Sequence, residues 1–208
     1  MSKTLSKPEK HSILEKPLSE LSAWPTASSP QVTLSEVPFQ GQFVLRSLDT
    51  LKDLNEKLEP VLGLALSNTP NKAVSKKGLK VFWLREGHWM IVTSTSKRDQ
   101  IAGQLDKALS GMDSSVVDNS AGQTVIKLHG DKARETLIKG CPLDLHPSAF
   151  KTGHMAQSRI MHADILLHRS SKDNYDLYIR KSFAEYLLRW LHDAALEFGV
   201  VVESKESP

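Results

Sequence analysis

The order of strand and helix patterns beyond residue 40 occurs twice along this chain. Each half reads β-α-β-β-α-β, which is the split βαβ arrangement. The first half covers residues 41–118 and the second covers residues 119–204. A hydrophobic core is marginal in a unit of this size, so we expect the two halves to pack on each other or on a partner. The predicted fold class is therefore α+β, with two ferredoxin-like halves.

Hydrophobic periodicity defines the elements of the first half. The hairpin is indicated by apolar side chains that alternate on either side of Glu86-Gly87. The second helix has Ser96 and Asp99 at the spacing of a capping box. In chain order, the predicted elements are a strand at 41–47, a helix that is capped by Asp49 and ends near Pro60, a hairpin at 79–93, a helix at 96–111 and a strand at 114–117.

The second half repeats this order. Its last helix has the strongest pattern, because Phe183, Leu187 and Trp190 belong to one apolar face. Ser182 and Glu185 are spaced as a capping box at the start of that helix. The predicted elements are a strand at 122–130, a helix at 131–140, strands at 158–169 and 174–180, a helix at 182–199 and a strand at 200–204.

Both ends of the chain lack this regularity. Residues 1–40 are rich in Ser, Pro, Lys and Glu, and such a segment cannot bury enough apolar surface to offset its ordering entropy. We expect it to lie extended or disordered, or to fold against a partner, with Trp24 as a candidate anchor. The tail at 205–208 is expected to fray.

Composition excludes several classes of function. The 27 Lys and Arg residues and the 24 Asp and Glu residues are interspersed, so no basic stripe indicates a nucleic-acid partner. No apolar run approaches the length of a membrane span. The N-terminus lacks the apolar segment of a secretory signal, and a single cysteine fits a reducing compartment. We therefore expect a cytoplasmic protein without a membrane or nucleic-acid partner.

The stretch "KGCPLDLHPSAF" at 139–150 is a candidate catalytic site, because it contains the only cysteine of the sequence. Cys141 and His146 are candidates for a nucleophilic pair. Cys141, however, follows the C-terminus of a predicted helix, where the dipole is negative and does not stabilise a thiolate. The alternative is a shaped loop, in which Gly140 stops the helix and Cys141 is a small buried residue.

The rest of this stretch fits the loop interpretation. Pro142 and Pro147 restrict the backbone, and Asp144 or His146 can fix the turn with hydrogen bonds. Whether the loop fixes its own fold or contacts another subunit stays open at the level of sequence. Tyr186, on the last helix, is a further interface candidate because any aromatic residue left on the surface is a potential anchor.

Recognisable cofactor and metal motifs are absent from the sequence. It contains no GxGxxG, no GxxxxGK[ST], no HExxH and no CxxC. The eight histidines do not form a ligand set, and His192 is predicted to be a boundary residue of the last helix. From these residues we expect no catalytic, cofactor-binding or metal-binding residue in this chain.

Five segments together carry a resemblance to a known family. They are "KGCPLDLHPSAF", "SFAEYLLRWLHDAA", "DLYIRKS", "VIKLHGDKARETL" and "WLREGHWMIV". In these segments the chain resembles the gamma subunit family of heterotetrameric sarcosine oxidase, over roughly residues 38 to 202. The run Cys-Pro-Leu-Asp-Leu-His-Pro is the most specific element of the resemblance.

The resemblance implies a fold and a place in a complex. The fold would be similar to the folate-binding domain of aminomethyltransferases. The complex of alpha, beta, gamma and delta subunits would oxidise sarcosine to glycine and hydrogen peroxide, and would pass the one-carbon unit to tetrahydrofolate as methylene-tetrahydrofolate. FAD, FMN, NAD and the tetrahydrofolate site would belong to the alpha and beta subunits, and zinc to delta. The gamma chain would have a structural role in assembly.

Two other functions stay open at this point. One is a free-standing folate-binding module, which rests on fold alone. The other is an enzyme that uses Cys141 and His146. The exact substrate also stays open, since dimethylglycine is an N-methyl amine related to sarcosine.

Overall fold

The computed structural model describes residues 10–24 and 28–203, in which an α+β architecture is built on two sheets. The expectations for residues 1–9, 25–27 and 204–208 lie outside the described part of the chain. The helices are α1 (Glu15–Ser22), α2 (Leu51–Leu62), α3 (Arg98–Ala108), α4 (Ala133–Ile138) and α5 (Lys181–Ala195). The strands are β1 (Val32–Val37), β2 (Gly41–Ser47), β3 (Ala73–Lys76), β4 (Leu79–Arg85), β5 (His88–Thr93), β6 (Ser114–Asp118), β7 (Gln123–His129), β8 (Met155–Ile160), β9 (Ala163–Ser171), β10 (Asn174–Arg180) and β11 (Val200–Glu203).

The smaller sheet is formed by the first half of the chain. Its five strands lie in the order β3-β4-β5-β2-β6. The predicted strand at 41–47 and the predicted hairpin at 79–93 are confirmed as β2 and as β4 with β5. The hairpin turns at Gly87, whose positive φ of 67° suits glycine. The short edge strand β3 was not predicted.

The larger sheet has six strands in the order β11-β1-β7-β10-β9-β8. One prediction is wrong here, because residues 158–169 are not a single strand. The chain instead turns at Met161 and His162, and β8 pairs antiparallel with β9. Met161 has a φ of 49°, so this turn uses the left-handed region without a glycine.

The N-terminal segment also departs from the expected extended course. Residues 15–22 form helix α1, which buries Leu18 and Leu21. Residues 32–37 form β1, which pairs parallel with β11 and antiparallel with β7. The strand therefore lies inside the larger sheet, where Val32 and Leu34 belong to the core. The buried surface of both elements comes from contacts with residues more than 80 positions away, which local composition does not reveal.

Helices lie where the periodicity placed them, but their first residues differ. Helix α2 is capped by Thr50, whose side chain accepts a hydrogen bond from the Asp53 amide, and not by Asp49. It continues past Pro60 to Leu62. Helices α3 and α5 begin without a side-chain cap, so the two predicted capping boxes are wrong.

The two sheets face each other, and the helices cover their outer faces. One core cluster joins the larger sheet to α1, α4 and α5, and a second joins the smaller sheet to α2 and α3. A third cluster lies between the sheets and includes Phe82 and Met90 of the smaller sheet with Leu166 and Tyr178 of the larger one. The described chain thus forms four layers, helix, sheet, sheet and helix.

Candidate functional site

The loop that connects α4 to β8 contains most of the sequence-predicted site residues. Three of its side chains, Cys141, Leu145 and Phe150, are buried in the core of the larger sheet. Between these anchors the loop exposes the other candidates to solvent: Pro142, Asp144, His146 and Pro147. The loop therefore fixes its own position through three buried residues and presents the polar and proline residues outward.

Hydrogen bonds inside the loop hold the exposed residues in one conformation. The Asp144 Oδ1 atom accepts from the His146 amide at 2.9 Å, as predicted for a turn fixed by this aspartate. The His146 Nδ1 atom lies 2.7 Å from the Ser148 hydroxyl. The Arg169 guanidinium donates to the Phe150 carbonyl at 2.6 Å and so ties the end of the loop to β9.

Gly140 lies where the loop meets α5. A Cβ atom at this position would lie 2.6 Å from Cη2 and Cζ2 of Trp190. The Gly140 carbonyl accepts from the Met161 amide at 3.2 Å, which brings the β8–β9 turn to the same place. Tyr186 precedes Trp190 by one helical turn and is 40% exposed, so it lies next to this junction.

Cys141 and His146 do not form a catalytic pair in the structure. The Cys141 thiol is buried, and its Sγ atom lies 4.0 Å from the Ser158 hydroxyl. His146 is exposed and is hydrogen-bonded to Ser148. Within residues 10–24 and 28–203, no three His, Cys, Asp or Glu side chains are grouped so that they could hold a metal ion.

Trp24 lies at the end of α1 and contacts α5. Its ring meets the His192 ring edge-on, with the centroids 5.4 Å apart, yet it remains 56% exposed. His192 is fully buried and is not the boundary residue that was predicted, and burial lowers the pKa of its imidazole below the ordinary 6.5. Trp24 therefore covers a histidine of α5 and still offers a large aromatic surface.

Sequence reasoning missed a buried charge cluster between the two sheets. The Lys80 Nζ atom of β4 lies 2.6 Å from the Asp176 Oδ2 atom of β10. The same oxygen lies 3.3 Å from the Nδ1 atom of His168 on β9. Lys80 and Asp176 are 96 positions apart, so only the sheet-on-sheet packing brings them together. The one available signal was the alternation of β10, which places Asp176 and Tyr178 on one face.

The environment of Asp176 favours its charged form. Burial alone would raise the pKa of this carboxyl group. The hydrogen bond from His168 and the charge and hydrogen bond of Lys80 outweigh burial, so the pKa falls from 3.8 to about 2. The cluster is therefore a salt bridge across the two sheets at neutral pH.

Comparison with known proteins places this geometry in a family. The model of the "Sarcosine oxidase, gamma subunit family" matches residues 55–197, which include the 139–150 loop and α5 up to its end. The chain belongs to the sarcosine oxidase gamma subunit family. The resemblance predicted from the five sequence segments is thereby confirmed.

Individual relatives in the gamma subunit family match most of the chain. The chain is 30% identical to the sarcosine oxidase subunit gamma of Arthrobacter sp over 169 residues, which cover 81% of this chain and 82% of that protein. It is 29% identical to the same subunit of Corynebacterium sp. (strain U-96) over 174 residues, or 83% of each chain.

Solved structures share the fold. A chain of the heterotetrameric sarcosine oxidase from Corynebacterium sp. U-96, in complex with pyrrole 2-carboxylate, matches with a TM-score of 0.82 and 26% identity, over 96% of this chain and 98% of that one. Aminomethyltransferase T of the glycine cleavage system from Bartonella henselae matches with a TM-score of 0.61 and 15% identity, over 79% of this chain and 46% of that one. The second match shows a shared fold and nothing about ligands. No helix in the described part of the chain is long and apolar enough to span a membrane.

Proposed function

We propose that this chain is the gamma subunit of a heterotetrameric sarcosine oxidase and that its role is structural. The observation that carries the proposal is the match to one chain of such an oxidase over nearly the full length of both chains. Family membership supports it independently through residues 55–197. The whole complex would demethylate sarcosine to glycine with release of hydrogen peroxide, in the cytoplasm, and would pass the one-carbon unit to tetrahydrofolate when it is present.

The chemistry of this complex would lie outside this chain. Cys141 is buried and His146 is hydrogen-bonded to a serine, so neither supports a nucleophilic mechanism. We assign FAD, FMN, NAD, tetrahydrofolate and zinc to the alpha, beta and delta subunits, as the family resemblance implies. The gamma chain would supply a rigid four-layer body that those subunits bind.

The surface around Gly140 is our proposed contact with those subunits. It combines the exposed loop residues Pro142, Asp144, His146 and Pro147 with Tyr186 of α5. Rigid loops with proline and an adjacent tyrosine present a large contact area at a low cost in conformational entropy. Trp24 would form a second contact, because more than half of its side chain stays exposed beside α5.

Purification of the tagged chain from its host tests the proposal. We expect a yellow complex that contains larger flavoprotein subunits and produces hydrogen peroxide when sarcosine is added. Recovery of the folded chain alone and colourless, at physiological salt, would contradict the proposal. Titration of that lone chain with tetrahydrofolate would then show whether it is a folate-binding module instead.

Two substitutions separate the structural role from catalysis by this chain. Cys141→Ser and His146→Ala should each leave the peroxide production of the purified complex within about twofold of the unmodified complex, because no step depends on these side chains. If catalysis used them as a nucleophile and base, either substitution would reduce the rate by about a hundredfold or more.

A further inference from the structure

Strand β6 forms one edge of the smaller sheet and is paired on one side only. The strand order is β3-β4-β5-β2-β6, so within the described part of the chain β6 pairs with β2 alone. The opposite edge is different, because a hydrogen bond of 2.9 Å from the Ala73 amide to the Gly153 carbonyl joins the start of β3 to the segment before β8 of the larger sheet. The smaller sheet therefore has its open edge at β6.

Hydrogen bonds at both ends of β6 show which of its backbone groups face outward. The Leu48 amide donates to the Asp113 carbonyl at 3.0 Å. The Asn119 amide donates to the Gln42 carbonyl at 2.8 Å. Antiparallel strands exchange hydrogen bonds at every second residue, so the odd-numbered residues of β6 bond to β2 and the even-numbered ones point their N–H and C=O groups away from it. In the part of the chain that the structure describes, no hydrogen bond reaches the backbone of these outward-facing residues, which are Ser114, Val116 and Asp118.

Strand β6 lacks the features that usually protect a sheet edge, which are lysine, proline, a bulge or a covering segment. Its sequence Ser-Ser-Val-Val-Asp contains neither lysine nor proline, and its register against β2 is continuous. Its one charged residue, Asp118, is neutralised by Arg98 at 2.8 Å. A groove of about 750 Å³ lies beside the strand, with Ala102 and Leu109 of α3 on its other wall. The edge is therefore open to a further strand.

The side chains of this edge complement a second copy of the same edge. When two β6 strands pair antiparallel about Val116, Ser114 of each copy lies opposite Asp118 of the other. The Ser114 Oγ atom is buried and has no hydrogen-bond partner among the described residues, and a carboxylate has lone pairs to accept from it. At the centre a valine faces a valine, and β-branched side chains form favourable cross-strand pairs. This register uses all three outward-facing residues of each strand and places no like charges opposite each other.

We propose that two copies of this chain associate by pairing their β6 strands antiparallel about a two-fold axis at Val116. The smaller sheets of the two copies then form one continuous sheet, with both α3 helices on the same face of it. Five residues a side form an interface smaller than the roughly 1,200 Å² of stable complexes, so the association is weak, with a dissociation constant of about 10–100 µM. It goes beyond the proposed function, because it needs neither another subunit nor the loop at 139–150.

Amide hydrogen exchange of the full-length chain tests the register directly. The amides of Ser114, Val116 and Asp118 should exchange about threefold or more slowly at about 500 µM chain than at about 5 µM, because only the dimer bonds them. The amides of Ser115 and Val117 bond to β2 and should be protected equally at both concentrations. Sedimentation equilibrium should show a shift from monomer to dimer over the same range.

Charged substitutions at Val116 distinguish a second copy from any other strand. Val116→Lys places two like charges opposite each other at the axis and should weaken self-association about fivefold or more, and Val116→Glu should do the same. An equimolar mixture of the two variants should recover the dimer, because lysine then faces glutamate. Val74→Lys on β3 is the matched control, since Val74 is also partly buried against the core of the smaller sheet, and it should leave self-association unchanged.

The exchange measurement needs no variant, so it decides the register even where a charge at position 116 destabilises the fold. The proposal is overturned if the chain is monomeric at about 500 µM, well above the expected dissociation constant, or if it dimerises without protecting the three outward-facing amides. A mixture of the lysine and glutamate variants that associates no better than either variant alone would also overturn it. Protection of these amides only in an assembled oxidase complex would overturn the second copy and assign the edge to another subunit.

Discussion

Asp176 is the residue on which the contact between the two sheets depends most. Its carboxylate is almost completely buried and is shared by Lys80 of the opposite sheet and His168 of the neighbouring strand. Removing one member of a buried charged group leaves the others uncompensated, which costs more than the pair itself contributes. We therefore expect the cluster to fix the relative orientation of the two sheets.

Substitution Asp176→Asn should lower the free energy of unfolding by about 3 kcal/mol at pH 7, because Lys80 loses its counter-charge.

The lowered pKa of Asp176 predicts that the free energy of unfolding depends on pH. A carboxyl group whose folded pKa is about 2 and whose unfolded value is 3.8 contributes about 2 kcal/mol above pH 3.8, and loses this contribution as the pH falls through 2. Urea unfolding between pH 2 and 7 measures both effects. Asp106→Asn, at an exposed position of α3, is the control. A constant difference between Asp176→Asn and the unmodified chain over this pH range would contradict the assignment.

Gly140 is constrained by the ring of Trp190 and not by its backbone. Gly140→Ala should cost about 1–3 kcal/mol in thermal or urea unfolding, because the added methyl group would lie 2.6 Å from that ring. Gly103→Ala is the matched control. Gly103 lies in α3 with open space around it, so alanine there should be neutral or stabilise by up to about 1 kcal/mol. Equal effects of the two substitutions would show that Trp190 does not constrain the loop.

At the scale of elements, local sequence patterns correctly predicted the helices and the hairpin that are stabilised by local interactions. The β4–β5 hairpin and helices α2, α3 and α5 follow from periodicity and from the Glu86-Gly87 turn. The β8–β9 turn was missed, because Met161 and His162 are not typical turn residues. Strand β1 was missed because its partners, β7 and β11, are distant in sequence. Glu36 of that strand is buried and bonds to Ser12 and Thr124, contacts that also span distant segments.

Strand β1 should be required for folding, since it joins β11 to the rest of the larger sheet. Leu34→Ala removes a fully buried side chain of β1 and should lower the free energy of unfolding by about 3 kcal/mol. Leu196→Ala, at a partly exposed leucine, should cost less than about 1 kcal/mol. A small effect of Leu34→Ala would mean that the segment before residue 40 is peripheral.

Helix α5 should carry part of the contact with the other subunits. Tyr186→Glu places a charge on its exposed surface and should reduce the amount of flavoprotein that co-purifies by about tenfold or more, while the melting temperature of the chain changes little. Leu48→Glu is the control, because Leu48 is 86% exposed and lies in the first half of the chain, and this variant should co-purify normally. Equal recovery with both variants would place the interface elsewhere.

At the scale of the whole molecule, five sequence segments predicted the family, and the match of residues 55–197 to the gamma subunit family confirms it. The candidate loop is anchored by three buried side chains, Cys141, Leu145 and Phe150, while Pro142, Asp144, His146 and Pro147 stay exposed. The Lys80–Asp176–His168 cluster depends on the packing of the two sheets. The alternation of β10 places Asp176 on one face of its strand, but no local pattern predicts that Lys80 of the other sheet lies opposite it.

Expression of the oxidase subunits with and without this chain tests its structural role most directly. Native mass spectrometry would report assembly, and sarcosine-dependent hydrogen peroxide would report activity. We predict a four-subunit complex with activity when the chain is present, and incomplete assembly with loss of activity when it is absent. A stable complex that forms without this chain and oxidises sarcosine at the full rate would contradict the account.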